Sequence, residues 1–216
     1  LGILLIDSSA KKIEFGFQKN NELILNKTLD SKDNADTLSF YIQKAFIEKD
    51  INFDEIEVVS LSNGPGSFTG LRISSAIAKG ICFAKGSKLV EISTLDIIAN
   101  KFKNCGKVTS LIFSNSRTNE FYFCEYEIEP GSFKRISEYR IDFIENIFSE
   151  SDTKYLINES LGENIPEKFR EILTDVSEIS GIKSLAELTE KAVSKGKFTD
   201  FKISQPFYMK EFIPNN

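Results

Sequence analysis

A glycine-rich stretch at residues 63–72 contains the residue types that could bind a substrate or a cofactor. It reads NGPGSFTGLR and lies between an apolar run and a predicted helix. Backbone N–H groups at the start of a helix can bind a phosphate, because they lack intrahelical acceptors and lie at the positive end of the helix dipole. The glycine spacing, however, matches neither GxGxxG nor the ending of a P-loop. The stretch is therefore either a phosphate cradle or a tight corner that only holds the fold together.

The same stretch does not have the pattern of a serine hydrolase. A nucleophile elbow needs a glycine two positions before the serine, and Pro65 stands there, before Ser67. In a structural corner, the proline fixes φ, the glycines permit positive φ and close backbone contact, and Ser67 or Thr69 caps the helix. The residues of this predicted corner are Gly64, Pro65, Gly66, Ser67, Phe68, Thr69 and Gly70.

Asp7, at the end of the first predicted strand, is the second candidate for chemistry. In phosphotransferases of the actin and sugar-kinase type, an acidic residue at this place is followed by a glycine hairpin that wraps a phosphate. Here the turn reads Asp-Ser-Ser-Ala-Lys, so its backbone is less free to approach a phosphate. Asp7 therefore either takes part in nucleotide binding or accepts hydrogen bonds within its own turn.

The counts of histidine and cysteine exclude several kinds of site. The sequence has no histidine, which excludes a His-based triad, an HExxH metal site and a histidine general base. Cys82, Cys105 and Cys124 form no CxxC pair, so they predict reduced thiols in a cytosolic protein, without disulfides or a zinc site. We predict no metal and no cofactor.

The composition predicts an ordinary globular protein, with 216 residues, 41% apolar residues and a net charge of -5. This negative balance argues against broad, sequence-blind contact with nucleic acid, although it leaves room for a local basic patch. The apolar run at residues 1–6 is too short for a signal core, and the one at 71–84 is shorter than the ~20 residues of a membrane span. We therefore expect a cytoplasmic protein without a membrane segment.

The order of predicted elements indicates an α/β fold made of two halves. The first half has strands at residues 1–6, 13–17 and 23–25, a helix at 34–49, a strand at 56–61, a helix at 69–84, a strand at 89–92 and a helix ending at 103. The second half has strands at 108–113, 120–128 and 133–141, a short helix at 143–148, a strand at 155–157, and helices from 166 and 184. Because both follow a βββαβα order, we predict one helix-covered sheet in each half, residues 1–104 and 105–216.

The predicted helix at residues 34–49 has apolar residues on two sides. On a helical wheel, one wide stripe can face the sheet: Leu38, Tyr41, Ile42, Ala45 and Phe46. Phe40 and Ile47 fall on the opposite side. They are either ordinary exposed apolar residues or part of a surface that binds a partner.

Together with LLIDSS at residues 4–9, GPGSFTGLR closely resembles the TsaB (YeaZ) family, the bacterial partner of the TsaD enzyme in making threonylcarbamoyladenosine on tRNA. EISTL, NSRTNEFY and QPFYMK, at residues 91–95, 115–122 and 205–210, look like the family's VSTL, DARxGEVY and PxYLR segments. Arg117, Glu120 and Tyr122 match the second of these. The sequence departs from the family at four positions. Asn115 replaces the family's Asp, and Asn119 and Ser74 each replace a Gly. A His that is common before the first helix is replaced near Asn34.

The resemblance implies the actin-like ATPase/RNase H-like (ASKHA) fold. It also implies a non-catalytic function, because TsaD-type relatives hold their metal with histidines and this sequence has none. It further implies that the chain forms a heterodimer with TsaD through its first helices and that TsaE joins the complex as an ATPase. In this arrangement tRNA is bound through the complex, and the chain can form a homodimer when TsaD is absent. Phe40, Ile47 and Arg72 are then the expected interface residues. The rival hypothesis is an ATP-binding small-molecule kinase or ATPase of the same fold that uses Asp7 and the backbone of residues 64–70.

Overall fold

The computed structural model describes residues 1–29, 37–104, 106–114, 119–148, 152–158, 165 and 167–208. In these ranges the chain forms two sheets with α-helices packed against them. None of the helices in this part of the chain is long and apolar enough to cross a membrane.

The first sheet has the strand order β3-β2-β1-β4-β5. Its strands are β1 (Gly2–Asp7), β2 (Ile13–Lys19), β3 (Glu22–Leu29), β4 (Val58–Ser62) and β5 (Lys88–Ile92). The central strand β1 pairs with β2 in antiparallel and with β4 in parallel orientation. All six of its residues are buried, as its continuous apolar run predicts for a strand covered on both faces.

Helices cover both faces of this sheet. α1 (Leu38–Glu48) and α2 (Phe68–Lys85) pack against one apolar cluster that includes Leu4 and Ile6 of β1. α6 (Gly181–Ser194) contacts β1, β2, β4 and β5. The Ser60 and Thr189 hydroxyls form a 2.6 Å hydrogen bond between β4 and α6. Ser60 is the strand partner of Leu5, whose side chain points to the face of the sheet opposite those of Leu4 and Ile6. Because Leu4 and Ile6 face α1 and α2, α6 lies on the opposite face.

The second sheet has the order β11-β10-β6-β7-β8, and β9 also pairs with β7. Its strands are β6 (Gly106–Phe113), β7 (Glu120–Glu129), β8 (Ser132–Arg135), β9 (Arg140–Phe143), β10 (Thr153–Ile157) and β11 (Leu173–Asp175). The short helices α4 (Ile144–Ile147) and α5 (Glu167–Arg170) bury Ile144, Ile147 and Phe169 against this sheet. α3 (Thr94–Lys101) and a 3₁₀ turn, Phe53–Glu55, complete the described elements.

The structure changes the predicted second half in three places. The single strand at 133–141 is wrong: β8 and β9 pair with different parts of β7. At the break, the Ser137 hydroxyl accepts the hydrogen bond of the Glu125 N–H, at 3.0 Å, while the Ile136 N–H donates to the Glu125 carbonyl at 2.9 Å. A side chain thus replaces one of the two backbone bonds of Glu125. The three-residue strand β11 was not predicted. α6 begins at Gly181 instead of residue 184, because Ser180 caps it through the N–H of Ile182.

The contacts within the chain define two compact units. The first is Leu1–Ile97 with Ser180–Pro206, and the second is Ile98–Ile179 with Phe207–Asn216. The division into two contiguous halves, 1–104 and 105–216, stays a prediction. The contacts differ from it in placing α6 with the first sheet. The predicted helix starts at residues 34 and 166 lie outside the described residues.

Candidate docking face and glycine-rich corner

The glycine-rich stretch forms a corner between β4 and α2 that is tied to the start of α3. The Gly64–Pro65 peptide bond is cis, and Gly64 has a φ of 113°. The carbonyl of Gly64 accepts hydrogen bonds from the Thr94 N–H, at 2.9 Å, and from the Ser93 hydroxyl, at 3.3 Å. The corner is therefore fixed on one side by the residues that follow β5.

On its other side the corner lies directly against the turn that follows β1. A Cβ at Gly66 would lie 2.4 Å from the carbonyl oxygen of Ser9, and one at Gly70 would lie 2.2 Å from that of Ser8. The Ser67 N–H donates a 2.7 Å hydrogen bond to the same Ser9 oxygen. These two glycines are thus required by close backbone contact, which sequence spacing alone does not reveal.

Three amide groups at the start of α2, those of Ser67, Gly70 and Leu71, have acceptors within the protein. The Ser67 side chain caps the helix by accepting a 3.3 Å hydrogen bond from the Gly70 N–H, and the Leu71 N–H donates to the Ser67 carbonyl at 2.9 Å. Two groups that a phosphate would need, the N–H groups of Ser67 and Gly70, are therefore engaged. Of the two interpretations of this stretch, the geometry favours the structural corner.

Asp7 is buried and points into its own turn. Its Oδ1 accepts hydrogen bonds from the Ser9 N–H, at 3.1 Å, and from the Ser9 hydroxyl, at 2.6 Å. The start of α6 lies over its other oxygen, since a Cβ at Gly181 would be 2.7 Å from Oδ2. The Gly181 N–H donates to Glu14, which pairs with Asp7 across β1 and β2. The geometry thus agrees with a carboxylate that holds its own turn and lies against the start of α6.

The two apolar sides of α1 have the burial that the helical wheel predicts. The inner residues Leu38, Ile42, Ala45 and Phe46 are buried. On the outer side, Phe40 is 59% exposed and Ile47 is 72% exposed. These two large apolar side chains are the structural basis of a candidate docking face.

α2 lies on the same apolar cluster as α1 and exposes small residues of its own. Its Ile77 and Ile81 are partly buried against the cluster, which places that side of α2 toward the packed interior. Ala76 and Gly80 are exposed at helical spacing, and a Cβ at Gly80 would meet nothing within 4 Å. We call Phe40, Ile47, Ala76 and Gly80 the α1–α2 outer face.

Arg72 lies one turn before Ala76 on α2, and the i, i+4 spacing places the two residues on the same side of the helix. Its guanidinium carbon stacks 3.8 Å from the ring centroid of the exposed Phe68. Residues 72, 79 and 83 share one helix side, and the Lys79 ammonium on that side donates to the Ser204 carbonyl. Phe83 is 80% exposed on this side and was missed in the sequence, because an apolar residue inside an apolar helix gives no distinct signal.

The remaining predicted site residues lie in the second unit or outside the described ranges. Glu120, at the start of β7, accepts a 2.8 Å hydrogen bond from the Ser114 hydroxyl, and Tyr122 is half-buried in the same strand. Arg117 lies outside the described residues. Within the described ranges no cluster of three His, Cys, Asp or Glu side chains could hold a metal.

The sequence matches a known protein family over most of its length. Residues 28–206 match the model of the family TsaD, tRNA N6-adenosine threonylcarbamoyltransferase. A TsaB protein of Buchnera aphidicola subsp. Schizaphis graminum is 29% identical over 125 residues, which are 57% of this chain and 60% of that protein. Its counterpart from subsp. Acyrthosiphon pisum is 24% identical over 88% of this chain and 82% of that protein. Both are named tRNA threonylcarbamoyladenosine biosynthesis protein TsaB.

The fold matches a solved structure of the same kind. YeaZ from Pseudomonas aeruginosa superimposes with a TM-score of 0.78 at 17% identity, covering 96% of this chain and 99% of that one. This match confirms the predicted α/β architecture as the actin-like ATPase (ASKHA) fold.

Proposed function

The chain belongs to the TsaD family and, within it, to the TsaB (YeaZ) proteins, and from this premise we propose that it is a non-catalytic subunit in the biosynthesis of threonylcarbamoyladenosine on tRNA. In this role it docks to TsaD, which transfers threonylcarbamoyl to the adenosine beside the anticodon. TsaE joins the complex as an ATPase, and tRNA is modified in the assembled complex.

The observation that carries this proposal is the α1–α2 outer face. Phe40 and Ile47 are more than half exposed although the same helix buries four other apolar residues. The small side chains of Ala76 and Gly80 allow a partner helix to approach closely. A helix pair of this kind can supply the apolar centre of an interface of about 1,200–2,000 Å².

The end of β1 supports a docking subunit over an enzyme. In the rival hypothesis, Asp7 and the 64–70 backbone surround Mg·ATP. Asp7 instead accepts two hydrogen bonds from Ser9 and lies against Gly181, and the corner glycines touch Ser8 and Ser9. A nucleotide would have to displace these contacts before it reached the carboxylate.

The direct test measures binding to TsaD of the same organism by isothermal titration calorimetry. We expect the double variant Phe40→Asp/Ile47→Asp to bind at least about 30-fold more weakly, because two charges would enter the apolar centre of the interface. The matched control is Ile172→Asp, which changes an exposed isoleucine of the second unit. Equal binding by the double variant and the wild type would refute the docking face.

A second measurement separates the subunit from the enzyme. TsaD and TsaE are assayed for tRNA modification with and without this chain, and the chain alone is titrated with a fluorescent ATP analogue. We expect modification only with the chain present, and no turnover of ATP by the chain alone. Hydrolysis of ATP by the isolated chain, lost in Asp7→Asn, would support the rival kinase or ATPase. Light scattering of the isolated chain tests whether it forms a homodimer through the same face.

A further inference from the structure

We propose that residues 197–204 form a strap that opens and closes over the edge strand β5, and that the closed strap prevents β5 from pairing with β5 of a second copy of this chain. The strap follows α6 and belongs to the first unit. It acts in the chain alone, so its role is independent of the proposed docking to TsaD.

The outer side of β5 carries backbone groups that could pair with another strand. Among the described strands, β5 is the last on one side of the first sheet, next to β4. The Lys88 N–H donates to the Glu57 carbonyl at 2.9 Å, on the side of β4. Because backbone groups alternate in direction along a strand, those of Leu89 and Glu91 point away from β4. Edge groups of this kind are a template for pairing with another chain.

The strap contacts β5 at two points. The Thr199 N–H donates a 2.8 Å hydrogen bond to the Leu89 carbonyl, within an antiparallel bridge between the two residues. Further along the strap, the Ser204 hydroxyl donates to the Glu91 carboxylate at 2.6 Å, and the Lys79 ammonium of α2 donates to the Ser204 carbonyl. The strap therefore lies beside the outer side of β5 and occupies the place of a further strand.

The strap has few buried contacts that would hold it closed. Ser204 is its only buried residue, and Phe201 is partly buried against the apolar cluster of the first unit. Phe198 and Ile203 are 38% and 77% exposed, and the ring of Phe198 contacts the exposed Lys88, whose ammonium lies 4.5 Å from the ring centroid. A segment with so few buried apolar contacts opens at a lower free energy than the sheet that it covers. The strap can therefore open while the first sheet stays folded.

A second copy fits the uncovered edge because β5 can pair with itself. In an antiparallel pair with a two-fold axis at Val90, Leu89 of each copy lies opposite Glu91 of the other. These are the two residues whose backbone groups point outward, so each pair can exchange both backbone hydrogen bonds. Lys88 then lies opposite Ile92, and no like charges oppose each other across the pair. The closed strap blocks this pairing by holding the Leu89 carbonyl.

The first measurement tests the opening of the strap in the wild-type chain, by amide hydrogen exchange followed by NMR. The Thr199 amide reports on the strap, and the Val90 amide, which faces β4, reports on the sheet. We expect the protection factor of Thr199 to be at least about tenfold lower than that of Val90, because the strap opens without unfolding of the sheet. Equal protection of the two amides would overturn the inference.

The second measurement tests the blocked edge, by sedimentation equilibrium of variants. Thr199→Pro removes the N–H that bonds to Leu89, whereas the matched control Thr199→Ala retains it. We expect Thr199→Pro to lower the Kd of self-association at least about tenfold, because the lost hydrogen bond favours opening in both copies. Thr199→Ala should leave the Kd unchanged, and Ser204→Ala, which releases the other end of the strap, should lower it. Unchanged association of both Thr199→Pro and Ser204→Ala would overturn the inference.

Added substitutions then locate the dimer of Thr199→Pro. Glu91→Pro removes an N–H on the outer side of β5, where proline is tolerated in an edge strand, so it should restore the wild-type Kd. Phe40→Asp/Ile47→Asp should leave the dimer intact. A dimer that is lost with Phe40→Asp/Ile47→Asp and kept with Glu91→Pro would form through the α1–α2 outer face, which overturns the inference about the strap.

Discussion

Substitution of Gly66 by alanine tests whether the glycine-rich corner is a close-packed structural element. The added Cβ would lie 2.4 Å from the carbonyl oxygen and 2.9 Å from the Cβ of Ser9. Both atoms belong to the turn that Asp7 holds through hydrogen bonds to Ser9. Neither can rotate away as the end of a long side chain could, so the backbone of the corner or of the turn has to move.

The size of the effect follows from these contacts. Displacement of Ser9 would lengthen the 2.7 Å hydrogen bond from the Ser67 N–H, which is worth about 1 kcal/mol. Overpacking by one methyl group in a tight region typically costs about 1–3 kcal/mol. The sum, about 2–4 kcal/mol, corresponds to a fall in Tm of about 5–15 °C for a protein of this length.

The assay is thermal unfolding of the full chain followed by circular dichroism, with Gly80→Ala as the matched control. Gly80 lies inside α2, and a Cβ added there would meet nothing within 4 Å, so alanine should raise the Tm by a few degrees through better helix propensity. A Tm for Gly66→Ala within about 1 °C of the wild type would refute the close-packed corner. A fall in both variants would show that the effect is not specific to the contact with Ser9.

Three further predictions concern the described helices and thiols. Ser180→Ala should lower the Tm by about 2–4 °C, because the hydroxyl caps α6 through the Ile182 N–H, whereas Ser194→Ala in the last turn should not. Burial raises the pKa of the Cys82 thiol from 9.0 to about 11, so iodoacetamide should alkylate it at pH 8 about 100-fold more slowly than a free thiol, as followed by mass spectrometry. The hydrogen bond from Lys19 lowers the pKa of Glu55. The ionised carboxylate therefore stabilises the fold above the ordinary pKa of 4.5, and this contribution is lost as the pH falls through the pKa of the folded state. The difference in Tm between the wild type and Glu55→Gln, measured across this range, should vanish at low pH.

Local signals in the sequence were enough to predict the elements of the first unit. The continuous apolar run of β1 and the amphipathic stripe of α1 depend on neighbours within a few residues, and the structure confirms both. Of the two capping residues predicted for α2, Ser67 and Thr69, the structure has Ser67. The left-handed Gly86 likewise ends α2. Such features are encoded by periodicity and capping, which do not require knowledge of the rest of the fold.

Features that depend on distant residues could not be predicted. The packing of α6 on the first sheet relies on contacts such as Ser60 with Thr189, more than a hundred residues apart. At the break between β8 and β9, the Glu125 N–H donates to the side chain of Ser137, which lies 12 residues further along the chain. The candidate surfaces followed the same division. The periodicity of α1 was sufficient to find Phe40 and Ile47, whereas the exposed Phe83 gave no distinct signal within the apolar helix α2.

The contacts at the end of β1 support the proposed docking role. On one face, Gly66 and Gly70 lie against the Ser8 and Ser9 carbonyls, and on the other the Gly181 start of α6 lies against Asp7. A loop that binds a substrate phosphate needs backbone N–H groups directed at the ligand. Here the corner instead uses its N–H and carbonyl groups to join β1, β4, α2 and α3. These contacts fix the orientation of α2 in the chain alone, and in the proposed docking role they would reduce the ordering entropy lost on binding.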